Sequence, residues 1–517
     1  MFRQLYANHR HDLTVIGVCV FISLASLIYG MDGGYLSGVL EMPAFKRTYG
    51  EQLPDGSYYL PSGKMSLMTS LPYAGHLAAA LGSGYLGDRL GRRAGLALTC
   101  VCSIVGVFIQ IFTTSQAVFI LGRFFNYISI GLSNVLAPVY QTEVAPRSIR
   151  AAMVTTYQFN IVSGSFLVSI INNFTSKIAG NASFRIPIGL LLVPPCIILP
   201  GLLFVPESPR WLVRKGRRAA ARKAVAFLYG RDPAFDPDAH IDQLTVAVHE
   251  QDVVAHKVSY ADCFRGTNRR RTLLACMIHF WQPLSGLGFV FNYGTIFFQE
   301  VHVSNPFVTT IITSVVNIVG TVVSFFLVDR VDRRRLLLIG SVVMFIGHFF
   351  VGVCGVAAER ISAAAGNDHA AMICIIVFIE TYVFGLSIAW GPLTWVVASE
   401  ISASDVREKT QSLAVGTNIL ISWIVTFTLP YLLNADKAGL GPKVGFIYAG
   451  FILGGAVCVY LFLPELRARP LEEIDEMFEK KLPSRKFKRE FMCEQADPRL
   501  YGRGSLGNCR RPDGRGH

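Results

Sequence analysis

The side chains able to do chemistry stand in two settings: charged groups in short turns between long apolar runs, and a few polar groups inside those runs. The densest turn is Gly84-Tyr85-Leu86-Gly87-Asp88-Arg89-Leu90-Gly91-Arg92-Arg93. It is echoed far downstream by Leu327-Val328-Asp329-Arg330-Val331-Asp332-Arg333-Arg334-Arg335. Glu143 to Arg150 (EVAPRSIR) is matched by Glu400 to Arg407 (EISASDVR), and Pro206-Glu207-Ser208-Pro209-Arg210 more loosely by Pro464-Glu465-Leu466-Arg467. Carboxylates and guanidiniums packed this way make ion pairs that can form and break, which is the chemistry of a latch. Candidates for it are Asp88, Arg89, Arg92, Arg93, Glu143, Arg150, Glu207, Arg210, Asp329, Arg330, Arg334, Glu400 and Arg407. Inside the runs stand Gln158, Gln282, Asn317, Trp395 and Asn418, and a lone amide there is more often glue between helices than a ligand contact. Asp32 is the intramembrane charge this pattern leaves, and at a span centre it costs about 2.5–3.5 kcal/mol, so it needs a partner or a proton. No nucleophile–base pair, phosphate loop or metal-spaced Cys/His cluster occurs, which argues against an enzyme, a metal or a cofactor.

The elements that position these groups are spans. Of the 517 residues 52% are hydrophobic and only 16% charged, against roughly 25% charged in soluble chains. Apolar stretches of about 20 residues recur, each long enough to cross about 30 Å of hydrocarbon as a helix. About twelve are expected, near 13–40, 65–86, 94–113, 117–138, 151–172, 186–205, 272–298, 307–328, 335–357, 371–397, 411–433 and 444–463. The repeated turns, offset by roughly 240–260 residues, mark a duplicated multi-span half. The expected fold is therefore an all-α membrane protein of two pseudo-symmetric six-helix bundles. Residues 1–205 form the first bundle and 272–465 the second; 206–271 is a cytoplasmic linker with a short helix near 217–229, and 466–517 is a basic, disordered tail.

The Arg-rich turns and the tail fall on one side if both termini are cytoplasmic, which also accounts for the net charge of +13 without nucleic acid. Asn173 and Asn181 lie on the other side, in glycosylation triplets. Eleven cysteines form no framework; most sit inside apolar runs as small buried groups.

These residues resemble the sugar porter family of the major facilitator superfamily over nearly the whole membrane part. The resemblance rests on GDRLGRR at 87–93, Gly122-Arg123, PVYQTEVAPRSIR at 138–150, PESPRWL at 206–212, WGPLTWVVASE at 390–400 and PELRARPLEEI at 464–474. FVFNYGTIFF at 289–298 and ASFRIP at 182–187 are similar to fungal hexose transporters and their glucose-sensor relatives. The resemblance implies the major facilitator fold in the plasma membrane, alternating access, and a small sugar as ligand. It also implies sugar contacts from Gln158, Gln282, Asn317, Trp395 and Asn418. An uncharged ring of hydroxyls calls for such amides and an aromatic platform. Pro283, Gly286, Gly288 and the Gly391-Pro392 pair let spans seven and ten bend over the site, and Tyr293 joins an outer lid. Arg123 matches the arginine that pairs with the Asp32 position in proton-coupled relatives, which leaves symport and ion-free facilitation both open.

The chain departs from the family pattern where it matters. Pro283 stands where a second glutamine is usual, Gly288 for asparagine, Asn292 for tyrosine, Asp332 for glycine, and Leu466-Arg467-Ala468 for Thr-Lys-Gly. Lost hydrogen bonds cost roughly 0.5–1.5 kcal/mol each, so a hexose would bind one to two decades more weakly, at roughly 1.4 kcal/mol per decade. A sensor that binds sugar without carrying it, and a carrier of a polyol or pentose, are the alternative readings.

Overall fold

The computed structural model describes residues 13–146, 149–230, 235–255, 259–300, 305–328, 330–365, 369–403, 406–434, 436–466 and 477–480. Ten of its helices are long and apolar enough to cross a membrane. In the first half these are α1 (Leu13–Val39), α3 (Arg92–Phe112), α4 (Gln116–Val144) and α6 (Ala182–Gly201). The two other expected spans are helical but more polar. One is a pair of pieces, Ser62–Ser70 and Tyr73–Leu90, together α2; the other is Arg150–Thr175, α5. Their Ser, Thr, Gly and Asn are explained by position, because α2 and α5 face the second half as well as their own. A helix that packs on protein along much of its length does not need a lipid-compatible surface.

The second half holds α7 (Asn268–Gln299), α8 (Pro306–Leu327), α9 (Arg333–Ala358), α10 (Ala370–Ile401), α11 (Arg407–Leu433) and α12 (Gly441–Phe462). The halves meet where α2 packs on α11, α5 on α8, and α1 on the outer part of α7. Helices Pro209–Arg214, Arg218–Tyr229 and Pro237–Ala255 form the linker. They have their own small core of Trp211, Leu212, Ala221, Ala224, Val225 and Ile241. The tail beyond 480 lies outside the described residues.

Spans seven and ten break where the expected residues stand. In α7 a wide turn over Pro283–Leu287 holds Gly286 at φ 99°, and a Cβ there would meet His348 Nε2 at 2.6 Å. Only glycine accepts both the backbone angle and the close approach. In α10 the wide turn covers Leu386–Trp390, just before Gly391-Pro392.

Candidate functional site

The break in α7 turns two amides toward α10 and α11. Gln282, 6% exposed, donates from Nε2 to the Trp390 carbonyl at 2.9 Å, and its Oε1 accepts from Asn418 Nδ2 at 2.9 Å. Asn418 Nδ2 also donates to the His279 carbonyl at 3.2 Å. On α8, Asn317 Oδ1 accepts from the Ser387 hydroxyl of α10 at 2.7 Å. Trp395, 40% exposed, stands edge-on to the His279 ring with centroids 4.9 Å apart. Gln282, Asn317, Trp395 and Asn418 thus line one face of the second half, while Gln158 sits half-buried on α5 of the first. Among the described residues no protein partner is recorded for the Gln158 amide, Asn317 Nδ2, Asn418 Oδ1 or Trp395 Nε1. These uncharged donors and acceptors are what a hydroxyl-rich ligand can use.

Proline explains three of the site's bonds. A proline in a helix has no N–H for the carbonyl four residues back, and that carbonyl must find another donor. Pro283 orphans the His279 carbonyl, which Asn418 takes. Pro430 orphans that of Thr426, which accepts from the Tyr293 hydroxyl at 3.1 Å. Pro72 orphans that of Met68, which accepts from Arg123 Nη1 at 3.2 Å. Sequence reading singled out Pro283 but neither Pro72 nor Pro430 nor any of these rescues, though counting four residues back from each proline would have found the acceptors.

Arg123 is also the partner of Asp32, as the resemblance implies. Its Nη2 lies 3.3 Å from Asp32 Oδ2 and 3.2 Å from the Tyr127 hydroxyl, both carboxylate and guanidinium being 1% exposed. Asn126 Nδ2 donates to Asp32 Oδ1 at 3.1 Å, and the rings of Tyr35 and Tyr127 flank the guanidinium. Asp32 is not the only acid in a span, however. Glu380 lies within α10 and was passed over because it falls in an otherwise unbroken apolar run.

At the face of the basic turns the ion pairs seen among the described residues lie within each half. Arg92 bonds Glu143 Oε1 at 2.9 Å and Asp88 at 3.0 Å. Glu207 accepts the backbone N–H groups of Arg92 and Arg93 at 3.0 and 3.1 Å, capping the start of α3 with negative charge. Burial raises the Glu207 carboxyl above the ordinary carboxylate range, against the lowering effect of those N–H groups. Gly91, at φ 96°, is required here, since a Cβ would lie 2.3 Å from Glu207 Oε2.

The second half repeats the arrangement with Arg333 on Glu400 at 3.2 Å, and Glu465 capping α9 through the N–H groups of Arg333 and Arg334 at 2.9 and 3.2 Å. Asp332 in the glycine position pairs with Arg335 at 3.4 Å and leaves this cap intact. The paired residue is therefore Arg333, not Arg330 or Arg334; Arg334 instead donates to the Tyr460 carbonyl. Laying Asp88–Arg92 over Asp329–Arg333 marks it. Arg89 stacks on Tyr85, 4.6 Å from the ring centroid, Arg407 opens α11, and Arg210 lies on the helix Pro209–Arg214. Asp329 and the Arg150 side chain lie outside the described residues.

The latch residues that pair among the described residues thus do so inside their own halves, and the opposite face supplies the reason. There the halves are joined. Ser62 N–H donates to Asp436 Oδ2 at 3.1 Å, and Asn434 Nδ2 to the Ser62 hydroxyl at 3.0 Å. Ser66 donates to the Phe427 carbonyl at 2.6 Å, Thr69 bonds the Tyr293 hydroxyl, Ser37 meets Thr295 at 3.3 Å, and Ser169 meets Ser314 at 3.1 Å. This pose is closed on the side away from the basic turns, so the charges of those turns fall back on partners in their own half. Tyr293, fully buried, belongs to that closure as an outer lid rather than to the amide face. On the same side Asn181 is exposed, whereas Asn173 is half-buried in the last turn of α5.

Twelve helices in two matching halves, with broken helices beside an uncharged polar face, define a major facilitator fold. The chain belongs to the sugar (and other) transporter family, which it matches over residues 18–478. It is 34% identical over 488 residues to the major facilitator-type transporter ecdD of Aspergillus rugulosus, covering 92% of this chain and 90% of that one. It is 31% identical over 477 residues to the probable glucose transporter rco-3 of Neurospora crassa, covering 90% and 79%. Among solved structures it is similar to the inward-open xylose transporter XylE of E. coli, with a TM-score of 0.73 at 22% identity, covering 90% and 99%.

Proposed function

We propose that the protein is a secondary transporter that carries a hexose or a close relative across the plasma membrane by alternating access, with both termini cytoplasmic. The observation that carries this reading is the uncharged face of Gln282, Asn317, Trp395 and Asn418, with free amide and indole groups, beside two broken helices. A ring of hydroxyls needs such donors and acceptors and gains nothing from an ion pair. Gln158 supplies the contact from the first half. When the outer side opens, the inner side closes. Arg92, Arg93, Glu143 and Glu207 of one half then face Arg333, Glu400 and Glu465 of the other, and re-pair across the gap. The Asp32–Arg123 pair is the proton-coupling site of this reading. Asn181 is the glycan acceptor its exposure favours.

The test expresses the chain in cells lacking their own hexose carriers and measures uptake of labelled sugars, with and without a protonophore. Saturable hexose uptake is expected; its loss with protonophore assigns symport, and its persistence assigns facilitated diffusion. Surface expression without uptake of any hexose, pentose or polyol would overturn transport and leave a sugar-binding receptor.

A further inference from the structure

Glu380 stands in the outer part of α10 with no cation beside it among the described residues. Its Oε1 is 2.6 Å from the Thr313 hydroxyl of α8, and its Oε2 is buried without a partner among the described residues. The arginines that open α9 lie at its far end, and at the depth of Glu380 the described residues of the packed elements bring no charge of either sign. Residues 306–327 of α8 include no ionisable side chain. At this depth α9 brings His348, whose ring lies 3.9 Å from that of Tyr382, and Cys354; α10 itself adds Cys374 and Tyr382. Across the boundary, the part of α5 beside α8 adds no ionisable group beyond Tyr157.

The Thr313 hydroxyl has one hydrogen but two acceptors in reach, Glu380 Oε1 and the Thr309 carbonyl at 3.1 Å. An ionised Glu380 leaves one contact unfilled. A neutral Glu380 fills both, because its own O–H donates to Thr313 while Thr313 donates to Thr309. An uncompensated carboxylate at this depth is costly, so the neutral acid also suits the surroundings.

We propose that Glu380 is a proton-binding site of the second half, loaded from the outer medium and held in the outer-closed pose. Ser314, next to Thr313, bonds Ser169 of the first half, so opening the outer side parts that pair and lets water reach the Glu380 turn. There the carboxylate takes a proton from hydronium, leaving water; closure then holds the O–H bond against Thr313. On reopening the proton returns to the same medium. The site therefore makes closure, and uptake, depend on outer pH without adding net proton flux. Ser387, two helical turns further along α10, bonds Asn317, which places Glu380 between the outer water and the amide face.

The pH dependence rests on the transport reading, but the protonation does not, and two measurements separate them. Infrared difference spectra of the purified full chain in liposomes, acid minus alkaline, in an Asp32→Asn background, read the carboxylic-acid C=O band directly. Glu380→Gln should remove a band that the background shows. In the uptake assay, in the same Asp32→Asn background, rate should fall as outer pH rises; adding Glu380→Gln should hold the acid-side rate across the range, and adding Glu380→Asp instead should keep the slope. Thr313→Val, which removes the hydroxyl but keeps the shape, should shift the midpoint. A band that survives in Glu380→Gln, or a pH slope unchanged in that variant, would overturn the proposal. If wild type carries no sugar, the spectra still decide the protonation.

Discussion

Arg123→Ala will destabilise the first half more than any other single change at the site, by on the order of 3–5 kcal/mol, the usual cost of removing one partner of a buried pair. Three groups lose their donor at once. Asp32, 1% exposed, keeps only Asn126; the Met68 carbonyl loses its substitute for the N–H that Pro72 lacks; the Tyr127 hydroxyl loses its acceptor role. The Met68 bond also ties α4 to the break in α2, the helix that reaches the second half through Ser62, Ser66 and Thr69. Thermal unfolding in detergent and the surface fraction in cells both read this loss. Asp32→Asn is the control. It retains the shape and an acceptor for Arg123, so it should fold, reach the surface and lose only whatever proton dependence the pair confers. Equal stability of Arg123→Ala and wild type would contradict the assigned role.

The double substitution Pro283→Gln with Gly288→Asn should tighten hexose binding by about one to two decades, read as a fall in the KM of uptake. Each added hydrogen bond is worth roughly 0.5–1.5 kcal/mol, and a decade needs roughly 1.4 kcal/mol. The gain at 283 has two parts. A glutamine there restores an amide side chain, and its N–H takes back the His279 carbonyl, which frees Asn418 Nδ2 for the ligand. At 288 a Cβ would stand 3.5 Å from Thr426 Oγ1, an ordinary contact, and the backbone is helical, so the larger residue fits. Gln282→Ala is the converse: it removes an amide from the face and the bond that orients Asn418, while the Trp390 carbonyl keeps Thr394 and Asn418 keeps the His279 carbonyl, so the KM of uptake should rise. An unchanged KM in the double variant would mean that the ligand does not reach this face.

The two-half architecture was legible because duplication leaves its mark in surface turns: Asp88–Arg93 and Asp329–Arg334, Glu143 and Glu400, and Glu207 and Glu465 recur in the same order. The positions Gln282, Asn317 and Asn418 came from the family resemblance, since a lone amide inside an apolar run reads first as glue between helices. Three things were not legible. The pairing of the inner charges depends on which pose the halves adopt, and a sequence does not encode one pose. The choice of Arg333 over its neighbours is set by helix phase, because the first residue of α9 points at Glu400 as the first of α3 points at Glu143. Glu380 escaped because its partner among the described residues, Thr313, is a residue type that apolar helices carry freely.

The outer closure offers the most direct test of alternating access. Ser62 and Asn434, joined across the halves at 3.0 Å, can be replaced by cysteines in a background without other reactive thiols, and oxidised to a disulfide. Uptake of the transported sugar should stop on oxidation and return with reductant, with the cross-link confirmed by mass spectrometry. Full uptake through a molecule whose outer halves are covalently joined would contradict the account.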